Sequence, residues 1–233
     1  MANRPLPVHT VGALALAGLL LLTPLAAYAH DVAEGDKAFV QSIDGPSIIP
    51  FMYLGAKHMV TGYDHVAFLV GVVFFLSRLR DVVIYASMFA LGHSITLIGG
   101  VLLETGANAY IIDAIIGVSV IYKGVENIGG LKRIGWKVDT RLAVFVFGLF
   151  HGLGLATKVM DLEVSQNGLL TNLVAFNVGV ELGQVIVLAV VVWLFAMWRP
   201  HPSFKRYAFA ANVALILVGV MLTAYQIQGY LAS

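Results

Sequence analysis

Beyond residue 50 the chain alternates long apolar runs with short polar breaks. A helix needs about 20 predominantly apolar residues to cross a bilayer. Runs of that order lie near residues 51–77, 82–103, 109–128, 142–160, 169–197 and 207–228. The breaks at 78–81, 104–108, 129–141, 161–168 and 199–206 are short, which favours antiparallel neighbours in an up-down bundle. The expected fold is therefore all-α: a polytopic membrane bundle of six transmembrane helices over residues 50–233. An earlier apolar run, residues 11–22, follows Arg4 and ends near Ala27-Tyr28-Ala29. Basic start, apolar core and small-residue exit predict a signal peptide over residues 1–29, cut after Ala29. Residues 30–49 carry Asp31, Glu34, Asp36, Asp44 and Gly45-Pro46. They read as a short exported segment, too small to bury a core of its own.

Composition supports a membrane protein. Only 12% of residues are charged, against about 25% in an average soluble domain, and the mean hydropathy is +0.88. A net charge of +1 with no basic stripe argues against a nucleic-acid partner. The absence of cysteine excludes disulfides and thiolate metal ligands. With the mature N-terminus outside, the first, third and fifth breaks face inward. They hold Arg78, Arg80, Lys132, Arg133, Lys137, Arg141, Arg199, Lys205 and Arg206, whereas the outer breaks show Glu104, Asp161 and Glu163. That distribution obeys the positive-inside rule and agrees with the signal peptide. Six spans then return the C-terminus to the outer side.

Four polar clusters interrupt the apolar runs, and ionisable groups there mark sites because hydrocarbon penalises them. His58 and His65 stand seven residues apart, two turns along one stripe of a continuous helix, with Gly62 between them and Asp64 adjacent. His93 sits in Gly92-His93-Ser94-Ile95-Thr96, followed by Gly99-Gly100. His151 lies within Phe147-Gly148-Leu149-Phe150-His151-Gly152-Leu153-Gly154, where the glycines permit close helix contact. Asn177, Glu181 and Gln184 share an arc of about 60° on the fifth span. In the third span, Lys123 and Glu126 are spaced to pair, and Asp113 lies near the outer end, where it would draw cations in.

Taken together, His58, Asp64, His65, His93, His151 and Glu181 come from four spans and form a candidate metal site, with Asn177, Gln184, Thr96 and Asp113 as supporting polar groups. Imidazole and carboxylate suit divalent nickel, zinc, cobalt, iron or copper. An N-terminal His30, exposed by signal cleavage, would offer a further ligand. Two other readings remain open. The histidines would equally hold haem or a catalytic metal in a membrane enzyme or electron-transfer protein. The polar groups would also serve as interhelical links in a subunit of a larger membrane complex.

At these motifs the chain resembles the HupE/UreJ family of bacterial membrane proteins. The resemblance rests on His58-x-x-x-Gly62-x-Asp64-His65, on residues 91–97, on residues 147–154, on residues 176–184 and on the Ala29-His30 junction. One departure is Met59, where hydrogenase-linked members carry proline after the first histidine. The resemblance implies a multi-pass protein of the bacterial inner membrane with both mature termini on the periplasmic side. It further implies a nickel permease or delivery protein rather than an enzyme, with hydrogenase or urease maturation partners and nickel as the first choice of metal. It carries over His58, Asp64, His65, His93, His151 and Glu181 as metal-path residues. No ATP-binding motif is present, so the drive would be the membrane potential or a partner.

Overall fold

The structure is a computed structural model and describes residues 34–161 and 165–233. The expected signal peptide and His30 lie outside the described residues. Among the described residues the fold is wholly helical: α1 (Glu34–Gln41), α2 (Ile48–Thr61), α3 (Tyr63–Val73), α4 (Leu79–Leu102), α5 (Ala109–Asn127), α6 (Gly130–Arg133), α7 (Thr140–Met160), α8 (Leu169–Trp198) and α9 (Pro202–Ala232). Four of these, α4, α7, α8 and α9, are long and apolar enough to cross a membrane. The 19-residue α5 carries three charged residues, Asp113, Lys123 and Glu126. The first apolar run, expected as one helix over 51–77, is broken at Gly62 into α2 and α3.

The ends of the elements follow from their sequences. Asn108 caps α5 by accepting the Ile111 amide, and Asp139 caps α7 by accepting that of Arg141. Pro202 opens α9, and the His201 ring accepts the Ser203 amide. The expected break at 199–206 thus shrinks to a tight turn, because proline is accommodated in a first helical turn and the helix starts earlier than hydropathy suggests. The short α3 ends against a cation. Arg199 donates to the carbonyls of Val73 and Phe74 at 2.7 and 3.1 Å, satisfying acceptors that a helix C-terminus otherwise leaves open. The exported segment does not stand apart. Val40 is buried with Phe51, Leu54 and Ala175, and Asn172 ties the linker down through the Ser47 amide (2.7 Å) and the Gly45 carbonyl (3.0 Å).

The closest helix pairs are not sequence neighbours. α4 packs on α7, α2 on α8, and α5 on α9. In the first two pairs the matched positions rise together along both chains: Gly92 meets Phe145–Leu149 and Gly100 meets Ala156, while Gly55 meets Phe176 and Gly183 meets Ala56. These pairs are therefore parallel. In α5 and α9 the register runs oppositely, Gly117 meeting Thr223 and Gly124 meeting Asn212, so that pair is antiparallel. Small residues explain the choice of partner. A Cβ on Gly152 would overlap the His93 carbonyl, one on Gly148 the Phe89 carbonyl, and one on Gly55 the Phe176 carbonyl. Backbone lies against backbone, which maximises dispersion contact where lipid offers no hydrophobic drive for association. The Thr96 hydroxyl adds a 2.7 Å bond from α4 to the Leu149 carbonyl of α7.

Two glycines of this helix set should therefore respond in opposite ways. Nothing lies within 4 Å of a Cβ added at Gly99, so Gly99→Ala should raise stability slightly, by about 0.5–1 kcal/mol from helix propensity. Gly152→Ala should lower it by at least about 1–3 kcal/mol, because it drives α4 and α7 apart. Thermal unfolding of the detergent-solubilised variants, followed by circular dichroism, checks both signs.

Candidate metal centre

The break at Gly62 builds the centre. The rings of His58 and His65, one on each side of the break, have centroids 5.0 Å apart. Gly62 donates its amide to the His58 carbonyl at 2.8 Å and accepts the Val66 amide at 3.0 Å, so the interruption leaves neither group open. Asp64 then falls in the first turn of α3, where a carboxylate is favoured by the positive end of the helix dipole. A Cβ at Gly62 would stand 2.9 Å from His65 Nδ1 and 3.0 Å from the His58 carbonyl oxygen. Glycine is required here by proximity to the site, since the backbone angles (φ −72°, ψ 94°) suit other residues.

His65 is the hub. Its ring lies 4.8 Å from that of His151 on α7 and 6.2 Å from that of His93 on α4. The α4/α7 glycine packing sets these two helices side by side and so delivers both imidazoles to the broken helix. Asp64 is fully buried, and His65, His93 and His151 are no more than 3% exposed. Phe68 and Phe89, both 0% exposed, wall the cluster, with ring centroids 5.6 and 4.9 Å from His151. Phe176 of α8 flanks His58 at 6.0 Å. Both phenylalanines of the wall read in sequence only as members of apolar runs, and nothing in their spacing separates them from ordinary core. The break itself did leave a signal, a glycine followed two residues later by an acid, which is a helix stop followed by a helix start.

The hydrogen bonds decide which ring atoms are available. His151 Nδ1 lies 2.7 Å from the Phe147 carbonyl, which can only accept, so Nδ1 carries the proton. His65 Nδ1 lies 3.1 Å from the Asp64 carboxylate and is oriented by it. The Nε2 atoms of His58, His65 and His151 are buried without a hydrogen-bond partner. Each such orphan costs about 1–3 kcal/mol, a large sum beside a typical net stability of about 5–15 kcal/mol. A fold that keeps several of them together has a use for their lone pairs. One ligand atom from each of Asp64, His65 and His151 lies within 4.8 Å of the others. Ligands sharing one transition-metal ion stand about 3–4 Å apart, given bonds of about 2.0–2.2 Å. Small side-chain adjustments therefore suffice to close the set, and the carbonyl and carboxylate behind the two Nδ1 atoms are the usual supports of metal-binding histidines.

Other expected residues fall elsewhere. Glu181 is exposed on the outer face of α8 and does not join the cluster. Asn177 and Gln184, which share its arc, are buried. Taking Asn177 as origin, Glu181 is turned about 40° one way and Gln184 about 20° the other, and the edge of the packed face falls between them. Asn177 accepts from the Ser94 hydroxyl at 3.2 Å, and Gln184 donates to the Ala86 carbonyl at 3.3 Å. Together with Thr96 they fix α4 to its neighbours, and Asn177 also lies against His93 of the centre. Asp113 is 4% exposed and bound to Lys158 at 2.9 Å, so it is not the open cation lure its position suggests. Lys123 and Glu126 pair at 2.5 Å, and Glu126 also accepts from the Thr140 hydroxyl, tying α5 to α7.

Apolar helices of spanning length surrounding a buried imidazole–carboxylate cluster define a class: helical membrane proteins with a buried histidine–carboxylate cluster. A family model described as HupE / UreJ protein matches residues 34–233, nearly the whole chain. The protein belongs to the HupE/UreJ family, membrane-associated accessory proteins linked in general to nickel handling. No curated protein and no solved structure matches the chain.

Because a methyl group at Gly62 would press on His65 and His58, Gly62→Ala should leave helix content unchanged and weaken divalent-metal binding by about 10- to 100-fold, the usual cost of disturbing the supports of a metal ligand. Circular dichroism alongside calorimetric titration of the purified protein with nickel separates the two effects.

Proposed function

We propose that the protein is a six-span transporter or delivery protein of the bacterial inner membrane, with nickel as its first-choice cargo. The cargo is taken up at a centre formed by His58, Asp64, His65, His93 and His151. The observation that carries this reading is the set of buried Nε2 atoms without partners, gathered beside Asp64 at a broken helix. Interrupted helices with an ion site at the interruption are a recurring device in membrane transport. Two expectations of the sequence are consistent with the reading. α5 and the broken α2–α3 make up the count of six, and the basic residues of the inner breaks place the N-terminus of the mature chain outside. Histidine and carboxylate are borderline-to-hard donors, suited to divalent nickel and related ions. Glu181 is no part of this centre.

Radiolabelled nickel uptake into proteoliposomes tests the reading. His65→Ala and His151→Ala should each reduce uptake at least about tenfold, in line with the loss of one ligand or its support. His201→Ala, at an exposed cap outside the cluster, should leave it unchanged. Uptake by the two cluster variants equal to that of the unmodified protein would refute the centre. Binding should also raise the unfolding temperature in a concentration-dependent way, and this shift should vanish in His65→Ala.

Acid should oppose binding. Imidazole must be neutral and carboxylate ionised to ligate, so protons compete with the metal. Nickel affinity measured by titration should be lower in acid than at neutral pH, and an affinity that stays flat down to the lowest pH at which the protein remains folded would exclude histidine ligation.

A further inference from the structure

Lys158 stands in the last turn of α7. A cation at that position is favoured by the helix dipole and could cap the final carbonyls from water. Its ammonium is drawn instead to the Asp113 carboxylate of α5, 2.9 Å away. That carboxylate lies beside Gly154: its Oδ1 would be 3.5 Å from a Cβ added there. Gly154 is about one turn from Lys158 on the His151 side. The lysine side chain therefore runs back along α7, the direction in which helical Cα–Cβ bonds tilt, past a residue with no side chain to obstruct it.

The position of this pair relative to the metal centre is specific. His151, Gly154 and Lys158 are spaced i, i+3 and i+7, so they share one stripe of α7. The level of Gly154, and with it Asp113, is about 4.5 Å along the helix axis from the level of His151. Lys158 is also close enough to His58 to act on its ring electrostatically. Phe68 and Phe89 wall the cluster, and Phe176 flanks His58, so an ion has no polar approach from those sides. The stripe of α7 beyond His151 does offer one, and the Asp113–Lys158 pair stands on it.

The two halves of the pair also differ in exposure. The Lys158 side chain is 20% exposed and that of Asp113 is 5%, so the cation can swing to water while the acid stays inside. The other ion pair of α5 is arranged oppositely, with Lys123 at 5% and Glu126 at 22%. A cation buried in that way serves as a fixed link, whereas Lys158 is built to move.

We propose that Lys158, latched by Asp113, is a gate on the approach to the metal centre. The proposal rests on the reading of that centre as a cation site. With the latch closed, a divalent ion moving toward His58 and His151 meets a like charge in a low-dielectric setting, where repulsion is strong. Passage requires the ammonium to leave Asp113 for water. That move strips a buried carboxylate of its cation, which is a costly state, so the latch closes again behind the ion. The barrier opposes entry and exit alike. Because the pair is neutral as a whole, removing both charges removes the barrier without changing the net charge around the centre.

Stopped-flow mixing of the purified full-length protein with nickel tests this, with a metallochromic dye reporting association and an excess of chelator reporting release. In the double variant Asp113→Asn, Lys158→Met, both rates should rise about tenfold while the affinity stays within about threefold of the unmodified protein. Lys158→Arg, which keeps the charge and the pair, should change neither rate by more than about threefold. If the double variant loses helix content, Lys158→Gln decides instead, since it still donates to Asp113 without a charge; association should be at least about tenfold faster. Normal binding with unchanged or slower association in these charge-removing variants would overturn the gate and leave the centre standing. A double variant that changes affinity and not both rates would overturn it too. No nickel bound by the unmodified protein would overturn the centre itself and the gate with it.

Discussion

The interruption of the first apolar run at Gly62 is the constraint on which the centre depends. His58 and His65 lie in ring contact across it, and it turns Asp64 into a first-turn carboxylate. Gly62 itself stays bonded, backward to His58 and forward to Val66. A helix that ran straight through would keep the two histidines on one stripe but separated by two turns.

Around that interruption, the packing works by close approach. Gly92, Gly148 and Gly152 let α4 and α7 meet at backbone distance, and the same packing that holds these helices together carries His93 and His151 to the break. Thr96, Asn177 and Gln184 secure the register with bonds to backbone or to hydroxyl groups. Scaffold and site are thus inseparable, since the residue above Gly152 in the contact is His93 itself. Arg199 completes the arrangement by closing off the C-terminal end of the short α3.

Much of this was legible in the chain. Apolar runs of spanning length announce the helices, and the three histidine-bearing clusters announce a shared centre, because ionisable groups are too costly in such runs to be scattered at random. Hydropathy is blind, however, to which helices pair. The short connections suggest neighbours in sequence, whereas steric complementarity of glycine-rich stripes selects α4 with α7 and α2 with α8. Phe68 and Phe89 carry no signal of their role, since a ring facing a histidine and one facing lipid contribute alike to an apolar run. Glu181 shows the limit of helical periodicity. It shares an arc with Asn177 and Gln184, but the boundary between packed and outward faces passes through that arc.

By itself, then, the sequence determined the helical class, the spans near which helices form and the kinds of atom available for ligation. Each of these depends on local composition and on a period of 3.6 residues. The tertiary structure alone decided that His65 is the hub, that Asp113 is occupied by Lys158 and that Glu181 points away from the centre. These depend on how one helix is rotated and seated against another, and that is set by contacts between residues far apart in the chain.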